Sequence, residues 1–317
     1  MLLKRALSGP TLGVLCIVFA TLCFAFQGIV IKGLLKSGTS IQAMLFWRQV
    51  MFWPLYLLYL LHFGRSSLRW IGAKDAGIVM LVGVLGFFAI PITNFTTLDR
   101  LEAGIERILI YSYPIFVVLF EALYRRRWPA PKFVLAFFAI QAGIFLLVGG
   151  GDAMESLLYN IGPAAQVLLA AVQFGLYTLL LRPWAMRLGS NCYFLYAISG
   201  SFLAITANYL WREDFTVPQG HAVWMIFVMM LISFPPSILF AEGVKRIGGA
   251  RASFISTLGP VVTVFAAERL LGEHLSAAQL VGGAVVLFTI GSLEAAAVRQ
   301  ILKSIGRFRI ANSPKSG

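Results

Sequence analysis

The chain has 317 residues, 59% of them hydrophobic and only 12% charged, whereas a soluble domain carries about 25% charged residues. Folded in water it would have almost no polar surface to show, which excludes a soluble enzyme and predicts an all-α polytopic membrane protein in a lipid bilayer. The net charge of +13 does not indicate nucleic acid, because the basic residues are spread over short connecting segments where they can lie against an anionic leaflet.

The apolar residues fall in runs of about 20, each long enough to cross a hydrocarbon core of roughly 30 Å as a helix. Bounded by Gly, Pro and charge clusters, they predict ten transmembrane helices at 12–31, 43–62, 76–96, 104–123, 132–150, 161–181, 190–210, 222–242, 252–271 and 278–298. Lys4 and Arg5 precede the first run as in a signal sequence. That run is too long for a signal core and lacks an A-x-A cleavage site, so a retained span is expected. Span 2 contains Arg48, an expensive residue in hydrocarbon. Spans 4 and 9 hold Pro114 and Pro260 about halfway along, in "IYSYPIFVV" and "ISTLGPVVT", where a helix loses one N–H donor. In hydrocarbon the carbonyls so freed, those of Ile110 and Ser256, are tolerated only against protein or a wet cavity.

Sorted by the segment that holds them, 19 basic residues fall on one side of this topology and six on the other, with Arg48 inside span 2. The positive-inside rule then puts both termini in the cytoplasm. Aligning Pro114 with Pro260 also aligns Arg100 with Arg246 and Val118 with Val264, and nearly the same offset brings Gly28 onto Gly175. The expected organisation is a 5+5 inverted-topology repeat, residues 1–150 and 151–300, followed by a basic cytoplasmic tail, 301–317. Because each half has an odd number of spans, the second enters the membrane upside down. Inverted repeats are a common construction of secondary transporters, with the substrate site near the midplane where the halves meet.

On "FAFQGIVIK" in span 1, "MLFWRQV" in span 2, the proline-centred spans 4 and 9, and "LLGEHLSAAQLVGGAVVLFTIG" at the end, the chain resembles the EamA-type members of the drug/metabolite transporter superfamily. The resemblance implies a ten-helix carrier of small metabolites in a bacterial inner membrane, often an exporter of amino acids or related compounds. The family's acidic turn position is filled by Glu273 in the second half but by Arg127 in the first.

The candidate substrate-binding residues are Gln27, Arg48, Asn94, Tyr111, Ser112, Pro114, Gln173, Tyr177, Ser256, Thr257 and Pro260. Arg48 has three readings: it binds an anionic substrate group, it pairs with Glu102 or Glu106, or it snorkels to the headgroups. Gln27, Asn94, Gln141 and Gln173 are amides in apolar spans, a residue type that either lines cavities or joins helices. The hydroxyls and aromatic faces beside the prolines suit a small zwitterion or an aromatic ligand. Glu121 and Glu268 are candidates for proton coupling, although Arg125 lies four residues after Glu121 and an ion pair is the simpler expectation there. No metal, cofactor or nucleic acid is expected. Cys16, Cys23 and Cys192 have no ligand spacing, His62, His221 and His274 fall at span ends, and no hydrolase motif is present. A homodimer is compatible with this reading and not required by it.

Overall fold

The computed structural model describes residues 9–63, 68–98, 100–101, 103–148, 160–212, 217–271 and 276–295. Every regular element among them is helical. They are α1 (Gly9–Lys36), α2 (Ile41–Phe63), α3 (Ala73–Val84), a π-helical turn (Leu85–Ala89), α4 (Ile90–Phe95), α5 (Ala103–Ile110) and α6 (Tyr113–Arg125). There follow α7 (Pro131–Val148), α8 (Ile161–Leu188), α9 (Ser190–Trp211), α10 (His221–Ile247), α11 (Gly249–Ser256), α12 (Leu258–Leu271) and α13 (Ala277–Leu293). Among the described residues eight helical stretches are long and apolar enough to cross a membrane, the last ending at Ile247, while Ala277–Leu293 is apolar but shorter.

Several helices outrun their predicted ends. α1 and α8 have 28 residues each and α10 has 27. Lys36, Arg187, Lys245 and Arg246, placed in connecting segments by the sequence, occupy last helical turns instead. Cations there complement the carbonyl end of the helix dipole, and their long stems cover apolar surface on the way to water.

The bundle is apolar outside as well as inside: Leu135, Phe138 and Phe288 are exposed among many other large side chains, as a lipid-facing surface requires. Because lipid tails are as apolar as leucine, the helices must associate through close packing rather than through burial from water. α1 packs on α10, α3 on α9, α6 on α8 and α7 on α13. Glycine permits the closest of these approaches. A Cβ on Gly143 of α7 would stand 2.9 Å from the Gly282 carbonyl oxygen of α13, and one on Gly282 only 2.5 Å from that of Gly143.

Pro114 and Pro260 both coincide with a break in the helices. Between α5 and α6 the Ser112 N–H bonds back to Leu109 O (3.1 Å) and the Ser112 hydroxyl donates to the same carbonyl (2.6 Å). Pro114 then starts the next helix, where its missing N–H is harmless. Ile108 O, left without an α-helical donor by this tightening, accepts from the Gln141 amide of α7 at 3.2 Å. Between α11 and α12 the Thr257 N–H and hydroxyl both turn back to Phe254 O, at 3.2 and 2.6 Å. Local hydroxyls thus satisfy backbone acceptors that hydrocarbon could not.

Candidate functional site

The two breaks bring residues of both chain halves around one cavity of about 220 Å³. α1 contributes Thr21, Phe24, Gln27 and Gly28, and α2 contributes Arg48. The π-helical turn brings Gly86 and Phe87, α4 brings Pro91 and Asn94, and α5 brings Glu106, Arg107 and Ile110. From the second half come Phe174 and Tyr177 of α8, Ser233, Phe234, Ser237 and Phe240 of α10, and Ser256 of α11. Ile110 and Ser256 are the two residues whose carbonyls the prolines deprive of an N–H donor, and both stand at the cavity wall.

The wall is mostly aromatic. Phe87 meets Tyr177 edge-on at 5.8 Å, Tyr113 meets Phe174 at 4.5 Å, and Phe234 stacks on Phe52 at 4.5 Å. A few charges are set into it. Glu106, 4% exposed, accepts from the Asn94 amide at 3.1 Å and lies 3.6 Å from Arg107 Nε. Tyr111, one helical turn after Arg107, lines the cavity beside it. Gly28 makes room for this network, since a Cβ there would meet Arg107 Nη2 at 2.8 Å.

Arg48 lies outside that network. It is 2% exposed, its guanidinium carbon stands 4.9 Å over the Phe234 ring, and its Nε is buried without a hydrogen-bond partner. Among the described residues no carboxylate reaches it: Glu106 is taken by Asn94 and Arg107, and Glu102 is outside the described residues. Snorkelling is overturned, because an arginine reaching the headgroups would be exposed at its tip. A buried cation over a ring gains a cation–π contact of about 2 kcal/mol, less than the several kcal/mol that an unmatched buried charge costs. An anion in the cavity would supply the balance.

The sequence pattern of the EamA-like transporter family matches residues 11–149 and 163–293. The chain belongs to this family. It is 30% identical over 293 residues to an uncharacterized transporter of Bacillus subtilis, YcbK, covering 89% of this chain and 92% of that one. It is 23% identical over 236 residues to YicL, an uncharacterized inner membrane transporter of Salmonella typhimurium, covering 68% and 72%. A solved crystal structure, 17% identical, matches the fold with a TM-score of 0.71 over 90% of this chain and 98% of that one. Multi-pass membrane transport is therefore the activity class of this EamA-like protein.

Of the residues singled out from sequence, Gln27, Arg48, Asn94, Tyr111, Tyr177 and Ser256 line the cavity. Gln27 is joined to Ser233 by a hydrogen bond of 3.1 Å that links α1 to α10. Ser112, Pro114, Thr257 and Pro260 are buried just behind the wall and shape it. Gln173 is half-buried away from the cavity, with its amide oxygen unpartnered. Glu121 faces a second pocket beyond Val118 and makes no ion pair with Arg125, contrary to the i,i+4 expectation. Arg125, exposed in the last turn of α6, lines the same pocket without pairing with Glu121. The side chain of Glu268 lies outside the described residues.

The sequence did not single out Arg107, Ser233, Ser237 or the phenylalanines of the wall, among them Phe24, Phe87, Phe174, Phe234 and Phe240. A usable signal existed for the serines, which flank Pro235 and Pro236 at i,i+4 spacing in "SFPPS". The phenylalanines carry none, being indistinguishable from packing residues. Among the described residues no group of His, Cys, Asp or Glu is arranged to hold a metal.

Proposed function

We propose that this EamA-like protein is a secondary transporter that moves a small metabolite bearing an anionic group by alternating access about the cavity, with export of amino acids or related compounds as the favoured direction and class. The observation behind this is Arg48, a guanidinium buried in the cavity wall with an unpartnered Nε. The carboxylate that lines the same cavity, Glu106, is already paired with Arg107, so the described lining carries one cation in excess. The topology proposed with it is ten spans in two inverted five-helix repeats, 1–150 and 151–300, with both termini cytoplasmic. α5 with α6 and α11 with α12 then serve as spans 4 and 9, and α13 as span 10. The contacts favour that pairing: exchanging the halves turns the α1–α10 packing into that of α8 on α4, and the α3–α9 packing into that of α10 on α2, and both occur. Proton coupling is proposed through Glu121 or Glu268, with Glu121→Gln expected to keep exchange but lose accumulation driven by a pH gradient.

Counterflow in liposomes containing the purified protein tests the assignment. Preloading with a panel of amino acids and related carboxylates should accelerate entry of a labelled member, and the corresponding neutral amides should fail. Equal transport of acid and amide would remove Arg48 from the role of anion site.

A further inference from the structure

At the end of the bundle where α6 stops, a second pocket of about 400 Å³ is lined by Arg125, Arg127, Arg182 and Arg251. It is separate from the transport cavity and shares no residue with it. Two of its charges are already accounted for. Arg251 donates through Nε to Glu294 Oε1 at 2.8 Å and makes a second, shorter contact to Oε2, forming a fork on a carboxylate that is 3% exposed. Glu121 is the acidic residue of the pocket wall, and it is held toward α11, where a Cβ on Gly249 would meet its Oε1 at 2.9 Å. Two positive charges remain unmatched among the described residues. Arg182 is the more telling of the pocket's arginines: its Nε is buried with no hydrogen-bond partner, and its guanidinium lies against Gly248, about 3.9 Å from where a Cβ would sit. Gly248 caps α11 with φ +88 and no side chain to offer. Ala250 and Arg251, in that helix's first turn, where N–H groups lack intrahelical acceptors, line the same pocket.

The chain segment around this pocket is built for the membrane surface. Trp128, which lines the pocket, is 96% exposed and Tyr124, in the last turn of α6, 79%, the exposure that aromatic residues have at headgroup level. Arg126, between them, turns the chain in a left-handed conformation (φ 51) that sends Arg127 and Trp128 over the pocket mouth. Guanidinium forks converging on a concave site match the oxygens of a phosphate better than a single carboxylate.

We infer that this pocket binds a phosphoryl anion, presented by an acidic phospholipid headgroup or free in solution. It would hold α6, α8 and the α10–α11 turn together at one mouth of the transporter. The inference does not depend on the substrate reading, since its readout is binding and not transport.

The test uses the full-length protein in a zwitterionic detergent. Thermal unfolding is followed while short-chain phosphatidylglycerol, phosphatidylcholine with the same chains, or inorganic phosphate is titrated in. Phosphatidylglycerol, inorganic phosphate or both should raise the midpoint saturably, and phosphatidylcholine should not. Apparent affinity should fall about tenfold in Arg127→Gln and in Arg182→Gln, as expected for one charged hydrogen bond. It should stay unchanged in Arg187→Gln, whose guanidinium pairs with Asp75 outside the pocket. A response to the lipid alone assigns a headgroup, and competition by phosphate assigns the anion itself. Should Arg182→Gln fail to fold, Arg127→Gln on the exposed turn still decides. No response to either phosphoryl ligand, or an equal loss in Arg187→Gln, would overturn the inference.

Discussion

At the scale of single residues, Arg48 is the most informative side chain in the protein, because two kinds of measurement on it should move in opposite directions. Arg48→Lys keeps the charge but loses the fork, and is expected to slow counterflow at least about tenfold without hindering membrane insertion. Arg48→Met removes an unmatched buried cation and leaves an apolar side chain of similar length against Phe234. It should abolish transport of the anionic substrate while leaving the thermal midpoint in detergent equal or higher, since replacing buried charge by packed apolar groups is often neutral or stabilising. A fall in both transport and stability would make Arg48 a structural residue instead. That an arginine here must have a purpose was legible from its cost in hydrocarbon alone. Which neighbours it would have was not. Its contact is with Phe234, and the cavity wall is closed by bonds between residues far apart in the chain, as when Gln27 joins Ser233, 206 positions away. Glu106 was expected as a possible partner of Arg48, but it pairs with its chain neighbour Arg107, which the sequence had placed only in a connecting segment.

Among the elements, the proline breaks were readable because a missing N–H acts locally, whatever the tertiary context. The π-helical turn Leu85–Ala89 was not: Pro91 just beyond it, which has no N–H for Phe87 O, marks an irregularity but not its type, and the close approach of Gly86 to the Tyr177 ring depends on tertiary packing. Pro114→Ala and Pro260→Ala should let α5 run into α6, or α11 into α12, drawing Ile110 or Ser256 off the cavity wall. Substrate affinity should then fall with insertion intact; unchanged affinity in both variants would reduce the breaks to packing features. Glycine contacts make a different demand on the helices. Gly143→Leu would force α7 off α13 at the point where their backbones touch, and overpacking of this kind costs about 1–3 kcal/mol or more. A lowered unfolding midpoint in detergent is expected, with the substrate affinity of the surviving folded protein little changed because neither helix lines the cavity.

Over the whole molecule, alternating access requires that the same cavity wall be reached from each side of the membrane in turn. Single cysteines in a background lacking Cys16, Cys23 and Cys192 can separate wall residues from those immediately behind them. Tyr111→Cys and Ser256→Cys lie at the wall, one from each half, whereas Thr257→Cys, adjacent in sequence, replaces a residue with 0% exposure whose hydroxyl is turned back on Phe254. A small polar thiol reagent should label the first two and spare the third, and transported substrate should protect them. In right-side-out and inverted vesicles an impermeant reagent should reach Tyr111→Cys and Ser256→Cys from both sides, at rates that shift in opposite senses when substrate is present on one side only. Access from a single side under every condition would fit a receptor or a one-sided pocket and contradict a carrier. Labelling of Thr257→Cys as fast as Ser256→Cys would mean that α11 and α12 are mobile about their break, and the cavity would then have to be redrawn around that hinge.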